Sequence, residues 1–514
     1  MFTDKDLRQF RSKGISPETI KQQLENFRKG FPPVLLESPA VPGNGIIKPA
    51  AKEIKEFIAR YESVRKNLEI VKFVPASGAA SRMFKELFAF LEKSEKGLSQ
   101  SGLVNESEFL REFVSKIKSF AFSGDVEKIL ENRGTTINEL INAGDISKLL
   151  RSVLEKSGLG YGNLPKGLIK FHNYGTYTRT AFEEHLVEGA DYALSRNKQV
   201  KLHLTVSPEF REAFLAHYRR KKRIYEDNFK IKFQVDFSVQ KPSTDIIAVN
   251  LENLPFRNES GEILFRPGGH GALLENLNEI DSDIIFIKNI DNIAPDRVKK
   301  NTNQFKKLLA GILLDYQAKI FSYERIIEEE NPGLEKLREI CSFMGQGGCR
   351  FNKKDMGGFS EGFIRELILS KLQRPVRVCG MVKNEGEPGG GPFWVLDEKN
   401  NSSLQIVETS QIDLTDRKQK EILNNSTHFN PVDLVCGVKN RKGRKYNLLK
   451  FTDPATGFIA EKSAGGHPVK AQELPGLWNG AMANWNTLFV EVPIETFTPV
   501  KTINDLLRPE HQAI

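Results

Sequence analysis

The chain has 514 residues, of which 39% are hydrophobic and 27% are charged, a composition typical of a globular protein and not of a disordered or fibrous one. Its formal net charge is +9, a mild excess that suits polyanionic ligands without requiring nucleic acid. No run approaches the ~20 apolar residues of a membrane helix, so we expect no membrane partner.

The 4 cysteines form no CxxC pair and no zinc-ligand spacing. The N-terminal segment MFTDKDLRQF is polar and charged, unlike a signal peptide. We therefore expect reduced thiols and a cytoplasmic protein of bacterial type.

Residues 1–69 predict an N-terminal helical region. Ser16 is a typical N-cap, and Pro17 suits the first turn of the helix that follows. Proline and glycine at 42–45 interrupt the helical pattern, which resumes at 51–67 with apolar residues on one face.

A strand, a loop and a helix come next. The apolar run at 70–74 predicts a short strand, the stretch PASGA a turn, and residues 83–91 (MFKELFAFL) a helix. This unit recurs in nucleotide-binding α/β folds. Residues 92–162 are polar, helical and loop-rich, and we interpret them as a helical insertion.

Strands and helices alternate after the insertion. Strands are predicted at 201–207, 230–238 and 283–289, and helices at 208–220 and 303–330. The alternation favours an α/β fold with a mainly parallel, doubly wound sheet, and we assign residues 70–330 to a nucleotide-binding core.

The rest of the chain divides in two. Residues 331–373 predict a connector of helices and loops, and residues 374–514 a strand-rich part. Within that part, 377–384 (RVCGMVKN) and 434–440 (LVCGVKN) are similar in sequence. This similarity predicts two paired strands in similar environments.

Residues 73–85 (FVPASGAASRMFK) predict a phosphate-binding loop. Small side chains let backbone N–H groups approach phosphate oxygens, and the N-terminus of the following helix adds a favourable partial charge. The residues that would surround the phosphates are Ser77, Gly78, Ala79, Ala80 and Ser81. Arg82 supplies a guanidinium fork that matches pyrophosphate.

The loop and a later stretch resemble sugar-phosphate nucleotidyltransferases. GAASRM is similar to their Gly-x-Gly-Thr/Ser-Arg-Met/Leu signature, with Ala80 in place of the second glycine. LPKGL resembles their Pro-Lys-Gly element, whose lysine neutralises phosphate charge as pyrophosphate leaves. That lysine is Lys166 in this chain, and Lys85 is the other candidate.

Further stretches resemble UDP-sugar pyrophosphorylases. FSVQKP is similar to an element whose glutamine reads the uracil edge, which points to Gln240. IKNIDNI is similar to an element whose aspartate binds Mg²⁺, which points to Asp291. FTPVKTINDLL is similar to a stretch whose lysine contacts the phosphates, which points to Lys501.

RPGGHGALL resembles the Pro-Pro-Gly-His-Gly turn of UDP-glucose pyrophosphorylases. The resemblance implies that the turn holds the base or a sugar ring through Gly268, Gly269, His270 and Gly271. We expect His270 to position the ligand and not to transfer a proton. The stretch ETSQ at 408–411 resembles the Glu-Tyr-Ser-Glu of UDP-N-acetylhexosamine pyrophosphorylases.

Nearly end to end, the chain also resembles an uncharacterised bacterial family described only as a domain of unknown function. The resemblance includes FRPGGHGAL, FIKNIDN and ELPGLWNGAM, and it implies no activity.

The pyrophosphorylase resemblance implies a GT-A-like fold and an enzyme that joins UTP to a sugar 1-phosphate and releases pyrophosphate. It implies catalytic roles for Arg82, Lys166 and Lys501, and Mg²⁺ as cofactor on Asp291. It also implies that the strand-rich part at 374–514 completes the sugar-phosphate side of the site. Candidates for a second metal ligand are Asp296, Asn479 and Asp505.

Three alternatives remain open. A glycosyltransferase of the same fold would need an Asp-x-Asp motif, of which Asn289-Ile290-Asp291 gives half. A non-catalytic nucleotide-sugar sensor is favoured by Ala80 and by the distance in sequence between the loop and Lys166. A nucleic-acid binder has charge alone in its favour, because the runs RRKKR and KNRKGRK lack interleaved aromatics and predict solvated surface.

Overall fold

The computed structural model of the protein describes residues 2–78, 80–351, 360–387 and 389–513. The chain forms two compact units. Unit 1 comprises Met1–Val71, Gln240–Ile287 and Lys306–Ile494, and unit 2 comprises Lys72–Val239, Lys288–Phe305 and Glu495–Ile514. Each unit is therefore built from segments that are distant in the sequence.

The helices are, in chain order, α1 (Asp4–Lys13), α2 (Pro17–Lys29), α3 (Ala51–Val64), α4 (Lys85–Glu95), α5 (Gln100–Glu106), α6 (Glu108–Ser115), α7 (Ser123–Glu131), α8 (Ile137–Asn142), α9 (Ile146–Leu154), α10 (Ala181–Tyr192), α11 (Arg211–Phe229), α12 (Leu274–Asn278), α13 (Asp296–Arg325), α14 (Leu334–Gln346), α15 (Glu361–Leu372) and α16 (Arg417–Asn424).

The strands are, in chain order, β1 (Leu36–Pro39), β2 (Val41–Pro42), β3 (Gly45–Ile47), β4 (Ile70–Pro75), β5 (Lys170–Asn173), β6 (Thr178–Thr180), β7 (Leu194–Ser195), β8 (Gln199–Thr205), β9 (Lys232–Ser238), β10 (Ile246–Val249), β11 (Phe265–Arg266), β12 (Ile284–Lys288), β13 (Cys349–Arg350), β14 (Val376–Lys383), β15 (Gly391–Leu396), β16 (Ser402–Val407), β17 (His428–Phe429), β18 (Asp433–Gly437), β19 (Phe458–Ala464), β20 (His467–Glu473) and β21 (Asn486–Glu491).

Unit 1 contains a mixed sheet with the strand order β2-β3-β21-β14-β18-β12. Strands β3, β21 and β14 run parallel, and β18 runs antiparallel to β14. The similar stretches at 377–384 and 434–440 fall on β14 and β18, which pair as predicted, with Arg377 opposite Cys436. Strand β17 pairs antiparallel with β14, and two antiparallel sheets, β1-β15-β16-β13 and β11-β10-β20-β19, complete the unit's strands.

In unit 2, β4 lies beside β8, which pairs in parallel with β9 and antiparallel with β7. The segment predicted as a helical insertion carries α5 to α9. Apolar residues of these helices and of the strands form one core, whose members include Phe84, Phe113, Leu149, Leu202 and Val500. The α/β class predicted from the sequence is confirmed.

Several predicted helix boundaries differ from the structure, and the helix predicted at 208–220 spans Arg211–Phe229. The helix predicted at 83–91 begins at Lys85, because Ala80–Arg82 form a 3-10 turn in which the N–H of Met83 donates to the carbonyl of Ala80 at 2.8 Å. The helix predicted at 303–330 begins at Asp296 and ends at Arg325, where a π-helical turn over Ile326–Glu330 follows.

The buried strand β4 contains a charged residue. The ammonium group of Lys72 is fully buried and lies 2.8 Å from Oε2 of Glu188 on α10, and Lys288 contacts the other oxygen of Glu188 at 2.8 Å. A buried charge is tolerated only when it is paired, so Glu188 is what allows two lysines in the core of unit 2.

Among the described residues, no helix combines the length and apolarity needed to cross a membrane.

Glu188→Gln tests these buried pairs. The change leaves two buried ammonium groups facing a neutral amide, so we expect the free energy of unfolding to fall by about 3–5 kcal/mol. Chemical denaturation followed by circular dichroism measures the loss. Glu86→Gln, exposed on α4, is the matched control and should leave the transition unchanged. A Glu188→Gln transition that coincides with the control would contradict the role of the pairs.

Candidate functional site

The loop after β4 is held at its start by residues that follow the neighbouring strand β8. The N–H of Ala76 donates to the carbonyl of Thr205 at 2.8 Å, and the hydroxyl of Ser207 donates to the carbonyl of Ser77 at 2.5 Å. The loop therefore leaves the carboxyl ends of β4 and β8, where ligands bind in open α/β sheets.

The predicted phosphate-binding residues of the loop differ in exposure. Ala80 is buried, and its N–H donates to the carbonyl of Leu164 at 3.1 Å, so this N–H is already engaged. Ser81 is exposed, and the space beside the α-carbon of Gly78 is open. Ala79 lies outside the described residues.

Two basic residues follow in the loop and at the start of α4. Arg82 and Lys85 are both exposed, and neither has a hydrogen-bond or ion-pair partner in the described part of the chain. The guanidinium group of Arg82 is thus available to a ligand at the 3-10 turn that ends the loop.

Three charged side chains that were predicted from separate stretches of sequence meet in unit 2. The Nζ atoms of Lys166 and Lys501 lie 2.9 Å and 3.3 Å from the same atom, Oδ2 of Asp291. Lys166 also donates to the carbonyl of Val500 at 2.8 Å. We call these three residues the lysine–aspartate cluster. Its charges sum to +1, so it attracts anions.

The members of the cluster differ in their access to solvent. The side chains of Lys166 and Asp291 are 16% and 12% exposed, whereas that of Lys501 is 59% exposed. Burial raises the pKa of Asp291, but the charges of the two lysines outweigh burial and hold this pKa below its ordinary value. Asp291 is therefore ionised at neutral pH.

The loop and the cluster lie next to each other, because each segment that carries a cluster member is bonded to the loop through its main chain. The bonds join the N–H of Ile290 to the carbonyl of Pro75 (3.3 Å), the N–H of Ala80 to the carbonyl of Leu164 (3.1 Å), and the N–H of Ile503 to the carbonyl of Met83 (3.1 Å). These contacts lie one or two residues from Asp291, Lys166 and Lys501.

Further bonds fix the C-terminal segment beside Asp291. The N–H of Val500 donates to the carbonyl of Asp291 at 3.0 Å, and the N–H of Thr498 donates to the side-chain oxygen of Asn292 at 3.0 Å. The backbone on either side of Lys501 is thus positioned before any ligand binds.

The candidates for a second metal ligand have other partners. Asp505 accepts the main-chain N–H groups of Lys501 and the following residue, each at 2.7 Å, and Asp296 pairs with Arg179 at 2.6 Å. Asn479 belongs to unit 1. The described ranges contain no group of three or more His, Cys, Asp or Glu side chains that could hold a metal.

Asp291 itself has the chemistry of a single-carboxylate metal ligand. Both lysine contacts use Oδ2, and Oδ1 has no partner within the described residues. Mg²⁺ prefers hard oxygen ligands and commonly binds proteins through one or two carboxylates, with water and substrate phosphates completing its shell. The residues present therefore fit a Mg²⁺ ion that binds together with a phosphorylated ligand.

The Gly-His-Gly turn belongs to unit 1. Nδ1 of His270 accepts the N–H of Leu477 at 3.0 Å, and the imidazole ring stacks on Trp478 with the ring centroids 4.3 Å apart. Burial lowers the pKa of His270 to about 4. The ring is therefore neutral near pH 7, with its hydrogen on Nε2, which faces Oε1 of Glu408 at 4.0 Å. The positioning role of His270 stays a prediction.

Polar groups surround this histidine. Nδ2 of Asn479 donates to Oε1 of Glu408 at 3.2 Å and to Oε1 of Gln411 at 3.5 Å. The side-chain oxygen of Asn479 is buried without a partner in the described part of the chain, and burial raises the pKa of Glu408. Amide, carboxylate and imidazole groups beside an aromatic ring suit a hydroxylated ligand.

The glycines of the turn are required by close packing. A β-carbon at Gly271 would lie 2.1 Å from the carbonyl oxygen of Pro475, and Gly269 has a φ of +76°, a conformation that favours glycine. A β-carbon at Gly268 would likewise lie 2.7 Å from the carbonyl oxygen of Thr244. Gln240 begins the middle segment of unit 1, and its side chain is partly exposed and has no hydrogen bond to the described residues.

Three residues that position the loop and the C-terminal segment were not predicted as site residues: Ser207, Asn292 and Val500. Ser207 ends the strand predicted at 201–207, and a hydroxyl residue at that end is the signal that could have identified it. The contact of Lys166 with the carbonyl of Val500 could not be predicted from residue type, because every residue has a main-chain carbonyl.

The pKa of His270 gives a pH prediction. Because the folded protein favours the neutral ring, the stability that this histidine contributes is present above its ordinary pKa of 6.5 and is lost as the pH falls towards about 4. Histidine NMR signals followed between pH 3 and 8, with His270→Gln used for assignment, measure this pKa. Titration of His270 near its ordinary value would contradict the burial of the ring.

Comparisons with known proteins give one family and several structural neighbours. A UDP-glucose phosphorylase from Trypanosoma brucei is 14% identical over 99% of this chain and 80% of that chain, with a TM-score of 0.44. A UDP-N-acetylglucosamine pyrophosphorylase from Trypanosoma brucei is 12% identical over 96% and 73% of the two chains, with a TM-score of 0.47. A mutant UDP-glucose pyrophosphorylase from Leishmania major is 12% identical over 98% and 77%, with a TM-score of 0.45.

No curated protein matches the sequence. Residues 3–512 match the family model described as Domain of unknown function (DUF4301), and the chain belongs to that family.

Proposed function

We propose that the protein is a sugar-1-phosphate nucleotidyltransferase that uses UTP. The observation that carries the proposal is the lysine–aspartate cluster. In it, two ammonium groups contact one carboxylate, that of Asp291, beside a loop of small residues. Nucleotidyl transfer needs cations around the phosphates and little covalent chemistry from the protein. A positively charged cluster at the carboxyl ends of strands supports that kind of reaction.

In the proposed reaction, a phosphate oxygen of the sugar 1-phosphate attacks the α-phosphorus of UTP in line and forms a new P–O bond. The bond from the α-phosphorus to the oxygen that bridges the β-phosphate breaks, and pyrophosphate leaves with the electron pair. No proton has to move. The protein orients two anions and neutralises their charge, which lowers the barrier through positioning and preorganised electrostatics.

The two lysines have different tasks in this scheme. Lys166 is mostly buried and is held by both Asp291 and the carbonyl of Val500, so it is a fixed cation for the α-phosphate. Lys501 is largely exposed and makes the longer contact with Asp291, so it is free to turn towards the sugar phosphate. Arg82 would bind the β- and γ-phosphates at the end of the loop.

Mg²⁺, when bound, would neutralise part of the charge on the triphosphate. Oδ1 of Asp291 would be its protein ligand. If the phosphates took over both lysines, Oδ2 of Asp291 would lose its partners. The whole carboxylate would then be available to the cation.

The uracil base in the proposal rests on sequence resemblance, because Gln240 and the Gly-His-Gly turn resemble elements of UDP-sugar pyrophosphorylases.

A non-catalytic sensor of nucleotide-sugars is the second candidate. It is favoured by Ala80, whose buried N–H donates to Leu164 and is therefore withdrawn from the phosphates. A loop with fewer available N–H groups would bind a nucleotide while giving little stabilisation to a transition state.

Pyrophosphate release distinguishes the two candidates. The purified protein is incubated with UTP, Mg²⁺ and each of a panel of sugar 1-phosphates, and pyrophosphate is followed with a coupled assay. We expect release that depends on one class of sugar 1-phosphate and is absent with UTP alone. Tight nucleotide binding without release from any sugar phosphate would favour the sensor, and absence of nucleotide binding would contradict both.

Lys166→Met and Lys501→Met test the separate tasks of the lysines. Lys166→Met removes a preorganised cation, so we expect kcat to fall by about 10²–10³-fold with a smaller change in KM. Lys501→Met should raise the KM for the sugar 1-phosphate more than it lowers kcat. Lys93→Met, exposed on α4, is the control and should leave both constants unchanged. Equal effects of all three changes would contradict the assignment.

A further inference from the structure

Unit 1 contains a cavity of about 690 Å³ that is lined by neither the lysine–aspartate cluster nor the Gly-His-Gly turn. Its walls are the turn between β2 and β3, the C-terminal end of α14, Arg350 on β13 and Trp394 on β15. A cavity of this volume is large enough for a small metabolite.

The cavity contains a cation, the guanidinium group of Arg350, that has no carboxylate partner among the described residues. The guanidinium carbon of Arg350 lies 3.5 Å from the centroid of the Trp394 ring, so the guanidinium group stacks on the indole ring. One terminal nitrogen of Arg350 donates to Oδ1 of Asn44 at 2.7 Å, and no carboxylate of the described chain forms an ion pair with this arginine. The remaining N–H donors form the planar fork that binds an oxyanion through two bonds.

The indole ring of Trp394 is itself held in place by its packing. Trp394 is 1% exposed, and its Nε1 is buried without an acceptor in the described residues. A β-carbon at Gly45 would lie 2.8 Å from Nε1 and 2.9 Å from the β-carbon of Ala40, and Gly45 has a φ of +99°. Glycine at this position therefore lets the indole ring pack tightly against the turn. This packing holds the ring under Arg350 in one orientation.

The rest of the lining indicates the kind of anion. Lys48 brings a second cation to the cavity, although its ammonium group also pairs with Glu491 at 3.0 Å. A phosphate dianion suits two cations better than a monocarboxylate does. The exposed side chains of Ser342 and Gln346 add hydroxyl and amide groups, which suit a hydroxylated body.

We propose that this cavity is a second ligand site, separate from the proposed catalytic residues, that binds a small phosphorylated polyol with its phosphate on Arg350. The ligand's hydroxyl groups contact Asn44, Ser342 and Gln346. The site takes up a phosphomonoester without chemical change.

The chain offers a local reporter for this site, because it contains 3 tryptophans, at positions 394, 478 and 485. Protein labelled with 5-fluorotryptophan gives one ¹⁹F signal for each, and Trp394→Phe assigns the signal at the cavity. Glycerol 3-phosphate is the probe, since it has a phosphomonoester and hydroxyl groups but neither a base nor a sugar ring. Glycerol and malonate are the neutral and carboxylate comparisons.

We expect glycerol 3-phosphate to shift the Trp394 signal saturably, with a dissociation constant in the millimolar range or tighter. Arg350→Ala should weaken binding by about tenfold or more, and Arg350→Lys, which keeps the charge but loses the fork, should weaken it less. Arg417→Ala, exposed on α16 in the same unit, should bind as the unchanged protein does. Unchanged signals of Trp478 and Trp485 verify that each variant is folded.

Three results would overturn the proposal. They are no saturable shift of the Trp394 signal, equal binding by the unchanged protein and by both Arg350 variants, and equal shifts with malonate or glycerol. If Arg350→Ala does not fold, Arg350→Lys decides the outcome, because a lysine that binds as tightly as the arginine would contradict recognition by the fork.

Discussion

The candidate site depends on one interaction, the contact of two ammonium groups with a single carboxylate oxygen of Asp291. Two cations this close repel each other unless an anion lies between them, so Asp291 permits a concentration of positive charge that unit 2 could not otherwise hold. Such an arrangement is stable without ligand and is prepared for a polyanion, because phosphate oxygens can replace the carboxylate as the partner of one or both lysines.

The backbone makes this contact possible. The three members of the cluster come from positions 166, 291 and 501, and no local pattern could bring them together. The loop between β4 and α4 supplies the common frame, since its main chain bonds to the segment of each member. The loop is therefore the scaffold that sets the positions of the charges, in addition to its proposed role as a lining for phosphates. The buried N–H of Ala80 serves the scaffold, because it holds the segment of Lys166.

The sequence predicted the α/β class and the pairing of β14 with β18, because both follow from hydrophobic runs and from similar residues in similar environments. It also pointed to Lys166, Asp291 and Lys501 individually, through resemblance to known enzymes. Their contact was not predictable, since it depends on long-range hydrogen bonds between main-chain groups that have no residue signature. The cavity at Arg350 was missed for a related reason. A lone arginine after a cysteine carries no motif, and its chemistry appears only when β13 and β15 bring it onto Trp394. The start of α4 at Lys85 was misplaced because a 3-10 turn and an α-helix have the same local preferences over three residues.

The central claim is that the lysine–aspartate cluster binds the phosphates of a nucleotide. Calorimetric titration of UTP with Mg²⁺ tests it most directly when the unchanged protein is compared with Lys166→Met and Lys85→Met. Both lysines were candidates for the same role, and only Lys166 contacts Asp291. The account predicts that Lys166→Met weakens binding by about tenfold or more while Lys85→Met binds as tightly as the unchanged protein. Weakening by Lys85→Met alone, or by neither change, would contradict it.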